Sequence, residues 1–334
     1  MIGRLFRGAP DFFMGKAKMT ATVFIDGEVG TTGLQIHARL IGRDDIELIH
    51  LNDADRKNPA RRREALNDAD VSILCLPDDA AREAAAMADS PKARLIDAST
   101  AHRVADDWVF GFAEFSAEQR DQIANAKRVS NPGCYAVTSI AMLHPLISSG
   151  TLSADTPVTI NAISGYSGGG KAMIGSYEDS SSASFTTAPF NVYGLGLEHK
   201  HVPEIQKYSG LSHRPIFVPS VGNYRQGMIV QIPLQLWSLS SKPSPQDVHR
   251  ILAEHYAGCR FVSVVSLEET AKMSGLKPEG LNDTNQLRLY VFGNENREQA
   301  VIMGLLDNLG KGASGMAVQN MNIMLGLPED TGLV

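Results

Sequence analysis

The chain is short of cysteine, of long apolar runs and of excess positive charge, and each shortage removes a class of protein. Three cysteines in 334 residues, Cys75, Cys134 and Cys259, are too few and too far apart for a disulfide scaffold or a paired zinc site. A reducing, cytoplasmic compartment is therefore expected. No stretch approaches the roughly 18 uninterrupted apolar residues of a membrane span. Even Ile140 to Ile147 is broken by His144 and Pro145, so no membrane partner is expected. The 31 Lys and Arg against 37 Asp and Glu give a formal charge of −6, without the broad basic field that phosphate backbones require, and nucleic acid is not expected either. What remains is a chain that is 43% hydrophobic and long enough for about two packed domains.

Residues 1–18 (MIGRLFRGAPDFFMGKAK) carry four basic residues and one acid but lack the apolar core of a secretory signal. They are read as a basic extension, a tag or the product of an upstream start codon before Met19, outside the fold. From Thr20 onward, strand-like and helix-like runs alternate. Thr22–Asp26, Ile46–Leu51, Val71–Leu76 and Arg94–Asp97 read as strands, and the segments to Leu40, Pro59–Asn67 and Asp78–Met87 as helices. Short loops between them predict right-handed βαβ units and a doubly wound parallel sheet.

After about residue 150 the pattern becomes strand-rich. Six runs, Val158–Ile163, Ile216–Val221, Met228–Leu236, Phe261–Val265, Leu287–Phe292 and Ala300–Leu306, predict an α+β domain on a mostly antiparallel or mixed sheet. A helix opens at Ser244-Pro245-Gln246-Asp247, where Ser suits the N-cap and Pro the first turn. A last helix runs from Ser314 to Leu325.

The first strand enters Gly27-Glu28-Val29-Gly30-Thr31-Thr32-Gly33. Glycines there let a pyrophosphate approach the backbone, and the following helix start supplies unpaired N–H groups. A ligand-free tight turn is the competing reading, and the position at the first βα junction favours the dinucleotide. Beyond strand two, Asn52-Asp53 suits a free ribose hydroxyl, whereas Arg56, Lys57 and Arg61-Arg62-Arg63 suit a 2′-phosphate or merely a solvated helix face.

Ser130 to Thr138 read SNPGCYAVT. Pro132 and Gly133 force a sharp turn that leaves Cys134 at the start of a helix, where a thiolate is favoured, its pKa is expected to fall, and the Cys134 and Tyr135 N–H groups form an oxyanion site. Cys75, inside an apolar strand, and Cys259, after Gly258, read as filler. The segment EHKHVPE from Glu198 offers His199 and His201 as proton carriers. His-x-His is also a ligand spacing, but no cysteine cluster or HExxH element accompanies it and no metal is expected. SGYSGGGK from Ser164 to Lys171 reads as an anion nest with an added charge, or as a flexible loop. It is not a Walker loop, because Ala172 stands at the last position.

Together SNPGCY, the glycine turn, Asp97 to Arg103 (DASTAHR), SGYSGGGK, HKHVPEI and GASGMAVQNMN from Gly312 resemble the N-acetyl-γ-glutamyl-phosphate reductase family, in its shorter subfamily, over nearly the whole chain from Met19. Where the family signature continues NPGCY with Pro-Thr, this chain has Ala136-Val137-Thr138. The resemblance implies a Rossmann-type NADP-binding domain and an α+β catalytic and dimerisation domain of the glyceraldehyde-3-phosphate dehydrogenase-like type. The last helix would return to the cofactor domain, giving residues 19–149 with 309–334 and residues 150–308. It implies NADPH-dependent conversion of an acyl phosphate to a semialdehyde in arginine biosynthesis, through a Cys134 thioester, by a homodimer or homotetramer. His199 is the first choice of acid and base and His201 the second, also as a substrate contact. Implied substrate contacts are Arg103, Asn131, Ser164 and Gly165. Implied NADP(H) contacts are Gly27, Gly30, Thr31, Thr32, Gly33, Arg56, Pro77, Ser99, Gly168 and Asn320. The alternatives are another semialdehyde dehydrogenase of this fold, such as that for aspartate semialdehyde, and, from a different class, a catalytically silent NADPH sensor.

Overall fold

A computed structural model describes residues 20–333. The basic segment 1–18 lies outside the described residues. The first part alternates as its apolar periodicity requires: β1 (Ala21–Asp26), α1 (Thr31–Leu40), β2 (Ile46–Ile49), α2 (Pro59–Asp68), β3 (Val71–Leu74), α3 (Asp78–Met87), β4 (Leu95–Asp97), β5 (Val109–Phe110), α4 (Gln119–Asn125) and β6 (Arg128–Ser130). The six strands form one parallel sheet in the order β2-β1-β3-β4-β6-β5. Its central strand β3 is buried along its whole length, as a strand covered on both faces must be.

Helix α5 (Cys134–Ser148) follows directly. Eleven of its fifteen residues are buried, and a helix that is apolar nearly all round belongs in a core rather than on a surface. It packs on a second sheet made of β7 (Thr159–Gly165), β8 (Phe190–Val192), β9 (Ile216–Gly222), β10 (Met228–Gln235), β11 (Val262–Val264), β12 (Leu287–Asn294) and β13 (Gln299–Leu306), with α6 (Gly170–Glu178), α7 (Val202–Ser209), α8 (Pro245–His255) and α9 (Leu267–Thr270) between them. The order is β11-β12-β13-β10-β7-β9-β8. The β7–β9 and β11–β12 pairs are parallel and the others antiparallel, so the sheet is mixed.

Alternation gives this sheet two unlike faces. Ile160, Val230, Ile232, Leu289 and Ile302 join α5 in the largest core. On the opposite face Thr159, Pro233, Gln235, Phe292 and Val301 line an open groove of about 1070 Å³. The predicted start of α8 is realised as a reciprocal capping box between Ser244 and Asp247.

Helices α6 and α7 interrupt a stretch whose sequence suggested few helices. In the first, the glycine-rich loop tightens into a 3₁₀ turn over Tyr166–Gly169 and continues as helix from Gly170, at φ +67°. In the second, His201 is the N-cap, Pro203 lies in the first turn and Gly210, at φ +83°, ends the helix. A π-type turn over Gly310–Ser314 leads into α10 (Gly315–Met324). Val318 and Met321 of α10 are buried with Val23, Ile36 and Ile73 in the core of the first sheet. Among the described residues, no helix is long and apolar enough to cross a membrane.

Candidate active site

The turn after β1 is built for close approach. Gly27 has φ +92°, and a Cβ there would lie 2.3 Å from the Cys75 carbonyl oxygen, so only glycine passes. The Gly30 N–H donates to Gly27 O at 2.9 Å, and no side chain caps the start of α1. Its first-turn N–H groups are thus available to an anion. Gly27 also borders a cavity of about 560 Å³ that is lined by Arg56, Lys57 and Arg62. The basic cluster divides there. Arg62 donates twice to the buried Asp26, at 2.7 and 3.2 Å, Arg63 pairs with Asp89, and Arg61 pairs with Glu64. Arg56, with Nε 3.2 Å from the exposed Asp53, and Lys57 are left facing the cavity. Among the other candidates, Pro77 is the N-cap of α3. Ser99 folds onto Asp97, donating through its N–H at 2.9 Å and its hydroxyl at 2.8 Å.

A second cavity, of about 430 Å³, joins the two parts of the chain. Thr31 and Thr32 of α1 line one side, Ser164, Gly165 and Gly168 another, and Cys134 lies among them at the first position of α5. Gly133 must be glycine here for reasons of space. A Cβ would fall 2.4 Å from His201 Nε2 and 2.5 Å from Arg103 Nη1. Lys171 is exposed, away from the lining, so the predicted nest contributes its glycines and not its lysine.

The expected lowering of the Cys134 pKa is not what the structure gives. Burial pushes the thiol up, and this outweighs the Arg103 charge, the Tyr135 N–H bonded to the sulfur and the Lys200 charge, all of which pull it down. Burial also raises the other two thiols, Cys259 to about 11.

Arg103 comes from the DASTAHR segment, which folds back on the end of β4. Asp97 accepts from Ser99 and, at 2.6 Å, pairs with His102 Nδ1, whose ring stacks on Trp108. Arg103 Nε then donates to Asn131 O at 3.1 Å and Nη2 to Ala98 O at 3.3 Å, while Nη1 is buried without a hydrogen-bond partner. Asn131 lines the cavity and donates to Ala313 O at 3.1 Å. Asn320 is fully buried behind it, its amide donating to Gly111 O at 2.9 Å and to Asn131 Oδ1 at 3.2 Å. It therefore braces Asn131 rather than lining the cavity.

A turn before α7 brings both histidines to the same place, which an extended segment would not do. Their rings are 4.8 Å apart, and the His201 N–H donates to His199 Nδ1 at 3.2 Å. Burial, then the charges of Lys200 and Arg103, bring His199 down to about 4. Burial, then Arg103, hold His201 well below its usual value. Both imidazoles are neutral at pH 7. Three further residues were not singled out from sequence: Tyr193 and Lys200, which line the cavity, and Glu204. The signal for Glu204 was present, since an acid three positions after His201 on a helix start faces the same way.

Residues 27–125 match the family described as semialdehyde dehydrogenase, NAD binding domain, and residues 134–308 match semialdehyde dehydrogenase, dimerisation domain. N-acetyl-gamma-glutamyl-phosphate reductase 2 of Nostoc sp. is 50% identical over 317 residues, covering 93% of this chain and 98% of that protein. The chain belongs to the N-acetyl-γ-glutamyl-phosphate reductase family. Reductases of this name from Burkholderia cenocepacia, 53% identical over 91% of this chain and 97% of theirs, and from Brucella ovis, 52% identical over 92% and 100%, agree. Among solved structures, aspartate semialdehyde dehydrogenase II of Vibrio cholerae, complexed with ASA, matches with TM-score 0.66 at 15% identity, over 92% of this chain and 99% of that one. Aspartate semialdehyde dehydrogenase of Candida albicans, with NADP, gives 0.61 at 14%, over 92% and 98%. This chain thus has the fold of the semialdehyde dehydrogenases.

Proposed function

We propose that this chain reduces N-acetyl-γ-glutamyl phosphate with NADPH, releasing phosphate and N-acetyl-L-glutamate 5-semialdehyde, as a cytoplasmic step of arginine biosynthesis. The carrying observation is the single cavity in which Cys134, Arg103 and two neutral imidazoles meet the start of the cofactor helix. The uncapped start of α1, the glycine turn that leaves no room for a side chain, and Arg56 with Lys57 fit a dinucleotide with a 2′-phosphate. Bound NADPH supplies the hydride that takes a thioester to the aldehyde level.

The chain's own residues do the rest. Cys134 Sγ attacks the acyl carbon, the carbon–oxygen bond to phosphate breaks, and a thioester remains. The ring edge of His201 lies against Gly133, beside the nucleophile, and we place the proton carrier there. It accepts the thiol proton and returns it to sulfur when the thiohemiacetal collapses. His199 braces His201 through its amide. N–H groups at the start of α5 face the developing oxyanion, and Arg103 Nη1, otherwise unpaired, offers a donor to the substrate's phosphate or carboxylate. Ser164, Gly165 and Asn131 border the same space.

The domain bounds of 19–149 with 309–334, and 150–308, belong to this reading. So does a homodimer closed through the open part of the second sheet's outer face, since the groove lined by Pro233, Phe292 and Val301 lies beside the stretch of that face that Leu281 and its neighbours already cover. The deciding experiment is the reverse reaction. Purified protein with NADP and phosphate is offered N-acetylglutamate semialdehyde and aspartate semialdehyde in parallel. Reduction of NADP with the first substrate alone supports the reading, and preference for the second contradicts it.

A further inference from the structure

Among the described residues Glu204 is the one carboxylate buried against the nucleophile's turn, its oxygens accepting from the Gly133 N–H, and the mechanism above does not use it. It lies in the first turn of α7 and is almost wholly buried. The Gly133 N–H, immediately before Cys134, donates to both of its oxygens, at 3.1 and 3.4 Å. Arg103 Nη1 is 3.6 Å from Oε2, too far for a hydrogen bond, and has no other partner. The guanidinium is therefore fixed at two nitrogens and incompletely satisfied at the third, which lies over Gly133. A substrate anion reaching that nitrogen would take over a charge that is Glu204's only close cationic counterpart among the described residues.

We propose that Glu204 is a positioning residue that holds the Gly133 amide and the Arg103 guanidinium before substrate binds and takes up a proton from solvent when the substrate's anion engages Arg103. The inference rests on the reading that an anionic substrate binds beside Cys134. Its balance is simple: one bulk proton joins the carboxylate, no other bond is made or broken, and the anion supplies the negative charge that Glu204 gives up.

The groups facing Glu204 make the direction definite. Arg103 lies on the DASTAHR loop, Cys134 on α5, His201 at the α7 N-cap and Tyr208 at the end of α7. Burial raises Glu204 to about 7, against the lowering by Arg103 and the Gly133 N–H. Neutralising Arg103 removes the larger of those two restraints, so the protonated form gains. His201 stays neutral when the anion engages Arg103, because burial, the largest cause of its lowering, remains in place.

The test uses inorganic sulfate, which does not titrate near neutrality, on the full chain. Calorimetric titration at pH 8 in buffers of different ionisation enthalpy counts protons per anion bound. The wild type is expected to take up roughly one proton, and E204Q, which keeps an acceptor for the Gly133 N–H, none. Equal uptake by both proteins, or none by the wild type at saturation, overturns the proposal. If E204Q does not fold, infrared difference spectra of the wild type decide: a protonated-carboxyl band appearing with sulfate supports the proposal and its absence refutes it. A second readout is the pH profile of Cys134 alkylation by iodoacetamide. Loss of the Glu204 charge shifts the thiol profile to lower pH in E204Q, which a purely structural role would not do. None of these measurements needs turnover. Proton uptake in a protein that reduces no N-acetyl-γ-glutamyl phosphate would contradict the substrate reading alone.

Discussion

Cys134 occupies a helix start that favours the thiolate and a cavity that disfavours it, and burial prevails. The reactive form must then arise together with proton acceptance by a neutral imidazole. His201→Asn is expected to lower kcat by about 10² or more, the usual worth of a general base, with His199→Asn milder. Single-turnover kinetics of the two variants check this, and the opposite order exchanges their roles. Glu204 gives a separate stability prediction. Its folded value near 7 exceeds the ordinary 4.5, so its contribution is present below about pH 4.5 and lost as pH rises through 7. Melting curves should show stability falling between those values more in the wild type than in E204Q, by up to about 3 kcal/mol. Turn chemistry and spacing made Cys134 and the histidine pair legible in the sequence, whereas Arg103 came through family resemblance alone. The sequence could not show that burial would reverse the thiol's expected shift, since burial depends on α7 closing over Gly133.

At the scale of elements, the proposed cofactor site divides recognition between the shape of the β1–α1 turn and the charge of the segment after β2. Gly27→Ala places a Cβ against the Cys75 carbonyl at a positive φ, and is expected to cost at least ~1 kcal/mol in stability and most of the NADPH affinity. Calorimetric unfolding and cofactor fluorescence titration measure the two. Replacing Arg56 and Lys57 with alanine should raise the KM for NADPH about tenfold, with the KM for NADH little changed, equivalent to about 1.4 kcal/mol. Five basic residues looked equivalent in sequence; three are spent on Glu64, Asp26 and Asp89. Most strands and the longer helices were legible from apolar period and caps. The two- and three-residue strands β5 and β8 and the short helices α4 and α9 were too brief to show a period, and α6 and α7 were missed because the first begins in a run of glycines and the second is only eight residues long, in a polar histidine segment.

At the scale of the molecule, one long buried helix, α5, serves the second sheet's core and presents its first residue to the cofactor side. The return of α10 to the first sheet's core completes that side. A contact between residues some 290 positions apart leaves no periodic trace, and it was anticipated through family resemblance alone. The proposed dimer through the open groove on the second sheet predicts that Val301→Asp, a charge on the groove side of β13, gives a monomer in light scattering where the wild type gives a dimer, while circular dichroism stays unchanged. The central claim is the thioester. Mixing the protein with N-acetyl-γ-glutamyl phosphate in the absence of NADPH, quenching in acid and mapping by mass spectrometry tests it most directly. An N-acetylglutamyl adduct on the Cys134 peptide, absent in C134A, is the predicted result. Turnover by C134A at the wild-type rate, or an adduct confined to another residue, would contradict it.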